Sequence, residues 1–288
     1  MNKNIAIIGD VKTDLGKKGN TVDIQYFSKN YLGNIYSTFL PIKYPEKVQS
    51  LLVAINLADF VILKIDKIDW MLGEEIVACE LLGKKGIIFT EEWIYSEVKR
   101  FIEGTSLSKW PLVKSDEEMW EYLREWKPKE RDGKEIWIDQ SFKVKSVGTV
   151  VLGVLKAGSI SVHDRYKIFP AEKEIEIKSI QMQDKDQKNA CCNARVGLSL
   201  KGIEPEEIPR GSIIGDSKLV ESIESWEKLK FYKGDEKKIT HIFHGISFVG
   251  YQNGKIVKAI PKSKTNNRFL LIENTDKEHL RIAGYGEF

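Results

Sequence analysis

The stretch IWIDQSFKVKSVGTVVLGVLKAGSISVHDRYKIFP (136–170) decides the fold, together with ARVGLSLKGIEPEEIPRGSII (194–214). Apolar and polar residues alternate in short runs, which Gly, Pro and Asp residues separate from one another. Such alternation between turn residues predicts antiparallel strands with one buried face. Many short strands of this kind predict a small barrel, which leaves no exposed sheet edge. The residues expected on the buried face are Phe142, Val144, Ile175, Ile177, Val196, Leu198 and Leu200.

The chain before this stretch has a different pattern. Apolar runs at Ile5–Gly9, Phe60–Ile65 and Gly86–Phe89 read as buried strands, and segments with helical spacing lie between and after them. Alternation of strands and helices predicts a parallel sheet covered by helices. The polar segment Lys127–Lys134 reads as a linker, and strand patterns return towards residue 288. We therefore predict an α/β domain over 1–130, a β-barrel over 131–220 and a second, trimmed β-barrel over 221–288.

Composition limits the class of protein. Of the 288 residues, 42% are hydrophobic and 30% charged, and the net charge of +3 is too small to argue for nucleic acid by itself. Three cysteines form neither a disulfide framework nor a CxxC pair, so we expect reduced thiols. No apolar run approaches the ~18 residues of a membrane span, and the N-terminus shows no signal region. We predict a cytoplasmic protein without a membrane partner.

Five motifs in the barrel region resemble a known family. They come in the order and spacing of the second domain of elongation factor Tu, a β-barrel shared by the translational GTPases. Segments outside the barrel resemble the SelB-like elongation factor paralogues of methanogenic archaea. The resemblance implies a GTPase-like α/β domain followed by two barrels. Its motifs are VGTVVLGV (147–154), GSISVHD (158–164), EIKSIQ (176–181), RVGLSLKGI (195–203) and IPRG (208–211), with MNKNIAIIG (1–9), LGKKG (15–19), YPEKVQSL (44–51) and GIIF (86–89) outside the barrel.

The phosphate loop of such a GTPase domain is altered in this sequence. The motif G-x-x-x-x-G-K-[ST] lets backbone N–H groups, a lysine and a hydroxyl hold the phosphates and Mg²⁺. Counted from Gly9, its last three positions hold Asp14, Leu15 and Gly16. Aligning the motif on Gly16 and Lys17 instead puts a lysine where the hydroxyl is required. Neither register makes a phosphate loop, and an aspartate there would repel phosphate.

The resemblance implies further nucleotide contacts that this sequence also alters. Thr21 falls at the Mg²⁺-holding threonine of the first switch, and Pro41 replaces the aspartate of the second. The guanine-reading N-K-x-D motif is replaced by the run from Thr90 to Trp93. We predict a degenerate P-loop GTPase-like domain that binds neither GTP nor Mg²⁺ and is not an enzyme. The vestigial nucleotide-site positions are Gly9, Asp14, Gly16, Lys17, Thr21, Pro41, Thr90 and Trp93.

Basic residues indicate a surface for RNA. Between Lys228 and Arg268 they far outnumber acidic ones, as in a surface that binds phosphates. The alternative is a set of solvated strand faces on which lysine discourages edge pairing. The resemblance implies that Arg210 meets the tRNA acceptor end, unless it pairs with Glu206 or Glu207 and fixes its own loop. The candidate RNA-binding residues are Arg210, Lys201, Arg195, Lys237, Lys238, Lys255 and Lys258.

Other reactive side chains read as structural. His241 and His244 are three apart in a strand pattern, so they face opposite sides and predict no shared metal. Asn193 stands at the glycine position of a tight turn beside Cys191-Cys192, which favours packing over redox chemistry.

The leading hypothesis is a translation-factor paralogue without a GTPase cycle. It would bind tRNA, another RNA, or a ribosomal or translation-factor partner, and not DNA. One alternative is a divergent GTPase whose phosphate cradle uses Lys12, Thr13, Gly16 and Lys17. The other is a protein-interaction decoy that mimics an elongation factor.

Overall fold

The computed structural model describes residues 1–9, 15–19, 22–222, 230–231, 236–252, 254–273 and 279–288. The chain forms two compact units. The first contains Met1–Lys129 and Thr275–Ile282, and the second contains Glu130–Asn274 and Ala283–Phe288. No helix among the described residues is long and apolar enough to cross a membrane.

The described part of the first unit is built on one mixed sheet with the strand order β2-β3-β4-β1-β5-β6-β7. Strand β1 lies parallel to both β4 and β5, β5–β6 and β6–β7 are also parallel, and β2 and β3 continue the sheet antiparallel. The strands are β1 (Asn2–Ile8), β2 (Lys17–Lys18), β3 (Gln25–Tyr31), β4 (Asn34–Leu40), β5 (Phe60–Lys64), β6 (Lys85–Phe89) and β7 (Leu112–Val113). The α-helices are α1 (Val48–Leu57), α2 (Trp70–Leu81), α3 (Glu92–Ile102) and α4 (Asp116–Glu125).

Local sequence explains where these helices begin and what they bury. Asp69 caps α2, because its Oδ1 accepts hydrogen bonds from the N–H groups of Met71 and Leu72. Helix α1 is almost entirely buried, as its run of apolar residues predicts. Trp126, which follows α4, packs on Phe60 with ring centroids 4.8 Å apart.

The second unit begins with a closed barrel. In its described strands the hydrogen-bonded order β11-β16-β8-β9-β15-β12 returns from β12 to β11 and closes the ring. The predicted α/β-plus-barrel fold class is therefore confirmed. The strands of this region are β8 (Glu135–Val144), β9 (Gly148–Ala157), β10 (Ser159–Ser161), β11 (Arg165–Phe169), β12 (Lys173–Met182), β13 (Lys185–Gln187), β14 (Asn189–Cys191), β15 (Arg195–Lys201) and β16 (Ile213–Gly215).

The barrel core follows the predicted alternation except at Phe142 and Val144 of β8, since Val144 is only partly buried. Ile175, Ile177 and the alternating apolar residues of β15 are buried in it. The prediction for Phe142 is wrong, because its side chain is 39% exposed. The β8–β9 pairing shifts register between Ile138 and Gln140, and beyond that shift β8 is no longer buried.

An antiparallel sheet with the order β17-β21-β20-β19-β22-β23-β18 forms the rest of the second unit in the part of the chain that is described. Its strands are β17 (Leu219–Ser222), β18 (Lys230–Phe231), β19 (Ile239–His244), β20 (Ser247–Gln252), β21 (Lys255–Pro261), β22 (Arg268–Glu273) and β23 (Ile282–Glu287). Its core contains Ile242, Phe269 and Leu271, which are nearly inaccessible to solvent.

A buried carboxylate joins the barrel to this sheet. Glu135 of β8 is 1% exposed and accepts a hydrogen bond from the indole N–H of Trp137. It also accepts bonds from the Ser263 hydroxyl at 2.5 Å and from the backbone N–H groups of Lys264 and Thr265 at 3.0 and 3.1 Å. A buried charge satisfied by several donors is stable, whereas the same donors left unpaired are costly. Glu135 therefore fixes the segment before β22 against the barrel.

We expect Glu135→Ala to lower the free energy of unfolding by about 3 kcal/mol or more, because several buried donors lose their acceptor at once. Urea denaturation followed by tryptophan fluorescence measures the change. Glu174→Ala, at an exposed position of β12, is the matched control and should shift stability by less than about 0.5 kcal/mol. Equal stability of the two variants would contradict a fastening role for Glu135.

Candidate functional site

The carboxyl ends of β1, β4 and β5 meet at one edge of the first sheet, where open α/β sheets bind their ligands. Gly9 follows β1 with φ +95°, and a Cβ there would come within 2.5 Å of the Lys64 carbonyl oxygen. Gly9 thus allows the close approach of two strand ends. Pro41 follows β4 at the same edge, where the resemblance implied an aspartate.

The second glycine and the lysine of the hypothetical phosphate loop lie elsewhere. Lys17 belongs to β2 and pairs with Ser28 of β3. Because β3 and β4 separate β2 from β1, Lys17 is three strand spacings, roughly 14 Å, from the strand that ends at Gly9. Gly16 packs against β3, since a Cβ there would meet the Ser28 carbonyl oxygen at 2.3 Å. The described residues thus separate the parts that a phosphate cradle needs together.

Thr90 and Trp93 are the remaining described residues of the predicted nucleotide site. Thr90 is 5% exposed, and its hydroxyl donates to the Ile65 carbonyl, which joins the ends of β5 and β6. Trp93, in the first turn of α3, is 68% exposed. Asp14 and Thr21 lie outside the described residues, as do Lys12 and Thr13 of the alternative cradle.

Two adjacent glutamates of α2 are buried near this edge and have opposite surroundings. Glu74 is fully buried, and its Oε2 is 2.6 Å from a guanidinium nitrogen of Arg281. The Arg281 backbone N–H also donates to Glu74 at 2.7 Å, and another guanidinium nitrogen donates to the Pro45 carbonyl. The charge of Glu74 is therefore compensated within the first unit.

Glu75 is 8% exposed, and the structure shows no hydrogen bond or ion pair to it from the described residues. Burial, followed by repulsion from Asp69 and Glu74, raises the pKa of Glu75 to about 8. Burial also raises the pKa values of the Tyr44 hydroxyl and the Cys79 thiol above their usual ranges. Among the described residues, this edge therefore carries a buried acid without a partner where the resemblance implied a phosphate site.

Arg210 forms an ion pair that the sequence did not indicate. Its guanidinium binds Asp139 of β8 at 2.6 Å, and only 4% of the aspartate side chain is exposed. The alternative pairing with Glu206 or Glu207 is wrong, because Arg210 binds Asp139 and Glu207 binds Lys173. The role of Arg210 in RNA binding stays a prediction. Its substitution would also leave a buried aspartate without its partner.

Three of the predicted lysines lie at one end of the C-terminal sheet. Lys237 and Lys238 immediately precede β19, and Lys255 begins β21, opposite the last residue of β20. Because β19, β20 and β21 are antiparallel neighbours, these ends lie side by side. All three side chains are exposed, as is Lys258 further along β21. We call Lys237, Lys238 and Lys255 the lysine cluster.

The two predicted barrel residues are not brought together. Arg195 begins β15 and Lys201 ends it, so the strand separates them by roughly 20 Å. Lys201 is exposed and stands opposite Glu176 of β12. Neither residue adjoins the lysine cluster in the strand pairing. The basic residues predicted as one RNA-binding set therefore lie at separate places in the described fold.

The buried histidine has a structural role. His244 accepts a hydrogen bond at Nε2 from the Ser263 backbone N–H, so its Nδ1 donates to the Arg268 carbonyl. Burial lowers the pKa of His244 to about 4, and the ring is neutral. Asn193 has φ +68°, which confirms the left-handed turn predicted beside the paired cysteines.

Sequence reasoning missed Glu74, Glu75, Arg281 and Asp139. Two consecutive glutamates inside an apolar helix pattern were an available signal for the first pair, since buried acids are rare without partners. No local signal connects Arg281 with residues about two hundred positions earlier.

Comparison with known proteins gives a consistent family. The family model for elongation factor Tu domain 2 matches residues 148–215. Uncharacterized protein MJ0325 of Methanocaldococcus jannaschii is 30% identical over 298 residues, which cover 96% of this chain and 95% of that protein. The selenocysteine-specific elongation factor of the same organism is 44% identical over 84 residues, which cover 28% of this chain and 18% of that factor.

A solved structure extends the likeness to the whole fold. Translation elongation factor SelB from Methanococcus maripaludis, in complex with the GTP analogue GPPNHP, matches with a TM-score of 0.80 at 17% identity. The match covers 99% of this chain and 78% of that one. The resemblance to elongation factor Tu-type and SelB-like factors is confirmed.

Glu75 should make stability depend on pH in a defined direction. Between the ordinary pKa of 4.5 and the folded value of about 8, the folded protein holds a proton that the unfolded chain has lost. Stability from this group is present below pH ~4.5 and falls by about 1.4 kcal/mol per pH unit as the pH rises towards 8. Glu75→Gln removes this pH-dependent loss of stability, because glutamine does not titrate. The stability advantage of the variant should therefore grow by roughly 3 kcal/mol from pH ~5.5 to ~7.5, measured by urea denaturation.

Glu97→Gln is the control, because Glu97 is exposed on α3. Its stability should run parallel to that of the unmodified protein across the same pH range. A Glu75→Gln curve that also runs parallel would contradict the raised pKa.

Proposed function

Since this chain belongs to the family of protein MJ0325 and is a SelB-like paralogue of the elongation factor Tu-type translation factors, we propose that it binds tRNA or a related RNA without a GTPase cycle. The observation that carries the proposal is the position of Lys17 on the far side of β3 and β4 from Gly9. A phosphate loop needs its glycine-rich backbone and its lysine around the same phosphates. In this chain Gly9 follows β1, whereas Lys17 lies in β2.

The surroundings of the nucleotide edge support the same proposal. Pro41 offers neither a carboxylate nor an N–H, and the Thr90 hydroxyl is used between two strands. Glu75, which is buried at this edge, supplies no positive charge to phosphates. A GTPase switch works because the γ-phosphate orders its loops, and without that ligand the protein acts as a binding module.

Positive charge in the second unit supports RNA as the partner. The lysine cluster presents three exposed ammonium groups at one end of β19, β20 and β21. Lysines contact phosphates as point charges and release counterions from the nucleic acid. The relatives named above include translation factors, which favours tRNA in the cytoplasm over DNA.

Titration with a fluorescent, non-hydrolysable GTP analogue and Mg²⁺ tests the first half of the proposal. We expect no saturable binding at micromolar concentrations, because the phosphate contacts are dispersed. Saturable micromolar binding that Mg²⁺ strengthens would establish a divergent GTPase instead. GTP hydrolysis should be indistinguishable from a protein-free control.

Salt-dependent tRNA binding tests the second half. The triple variant Lys237→Ala, Lys238→Ala, Lys255→Ala should reduce the slope of log affinity against log salt by about 2 to 3, because each lost phosphate contact removes somewhat less than one counterion. The matched control is Lys178→Ala, Lys185→Ala, Lys188→Ala, which removes three exposed lysines from the barrel. Its slope should change little. No tRNA affinity, or a slope near zero, would favour the protein-interaction decoy.

A further inference from the structure

A cavity of about 390 Å³ opens at the carboxyl edge of the first sheet. Its volume lies within the range of small-molecule sites, about 300 to 1,000 Å³. Much of its wall is apolar, contributed by the loop after β4, the end of β5 and the first turn of α2. The apolar side chains are Leu40, Pro41, Ile42, Pro45, Ile65, Met71 and Leu72.

Glu75 is the buried acid of this wall. It lines the cavity although its side chain is more than nine-tenths buried, and no described residue binds it. The contrast with Glu74 is direct, because Arg281 forms two guanidinium bonds to that neighbouring glutamate. A largely buried carboxyl without a donor or a cation among the described residues is a costly arrangement.

The positive groups of the cavity are already engaged by other acids. Lys67 lies 2.9 Å from Asp69, and Lys64 lies 3.5 Å from Asp66. These pairs leave Glu75 as the acid that a ligand can neutralise. Within the described residues, no three His, Cys, Asp or Glu side chains converge as metal ligands do. One carboxyl beside a large apolar wall suits an organic cation better than a metal ion.

We propose that this cavity binds a small organic cation, an ammonium or guanidinium head on a short apolar stem, with the head paired to Glu75. The stem would lie against the apolar wall, and the charge pair would form in a site of low dielectric, where it is stronger than in water. The site goes beyond the proposed RNA-binding function and does not depend on it. An anion would find no uncommitted cation among the lining residues, because Lys64 and Lys67 are paired with Asp66 and Asp69.

Binding should couple to the loss of a proton. The empty site holds Glu75 largely protonated at neutral pH, and a bound cation favours the carboxylate. Affinity should therefore rise about tenfold per pH unit below pH ~8 and level off above it. The charged and titratable groups around Glu75 are Asp69 and Glu74, which raise its pKa, together with Lys64, Asp66 and Lys67 in the cavity wall, Tyr44 in the loop after β4 and Cys79 one turn along α2.

The test is isothermal titration of the full chain with n-butylammonium and n-butylguanidinium, beside 1-butanol and butyrate as neutral and anionic analogues. We expect saturable one-to-one binding of at least one cation and at least tenfold weaker binding of both analogues. Proton release, read from buffers of different ionisation enthalpy, should accompany cation binding near neutral pH.

Glu75→Gln keeps the shape of the side chain and removes its charge. It should weaken cation binding at least tenfold and abolish the proton release, whereas Glu97→Gln should change neither. The cation affinity of the unmodified protein from pH ~6 to ~8 gives a second readout that needs no variant. Binding of neither cation, equal binding of 1-butanol, or pH-independent cation binding would each overturn the proposal.

Discussion

The cost of burying a charge governs how this molecule is assembled. A carboxylate removed from water needs donors or a cation close by. Arg281 supplies that partner to Glu74 in the first unit, where the acid is fully buried. In the second unit, Glu135 collects donors from the segment before β22 and ties that segment to the barrel. Each compensated acid thus joins parts of the chain that are distant in sequence.

The proposed functions rest on charged groups that lack such a buried partner. No described residue binds the Glu75 carboxyl, which lies at the edge where open α/β sheets bind their ligands. We therefore expect this edge to favour cations over anions. The lysine cluster belongs to the second unit and the residues of that edge belong to the first, so the two features share no residue. The proposed loss of nucleotide binding and the proposed binding of RNA therefore involve different residues and can be tested separately.

Alternation of apolar residues was enough to predict the barrel and the α/β sheet, because burial on one face is recorded locally in the sequence. The departure from the phosphate-loop motif was also readable, since that motif consists of residues adjacent in the chain. Arg210 shows where this reasoning ends. Its partner Asp139 lies across the fold, and nearby Glu206 and Glu207 looked equally suitable. Glu75 was missed for the same reason, because its significance depends on the absence of a partner among residues that only folding brings near.

The Arg281–Glu74 pair also bears on how the protein is made. The two residues are 207 positions apart, although both belong to the first unit. At a synthesis rate of about 5 to 20 residues per second, Glu74 is added to the chain roughly 10 to 40 seconds before Arg281. During that interval the nascent first unit can form its parallel sheet, but burying Glu74 would leave a charge without its partner. Burial of Glu74 is therefore favourable only once Arg281 has been made, and earlier closure of the first unit around Glu74 is disfavoured by electrostatics.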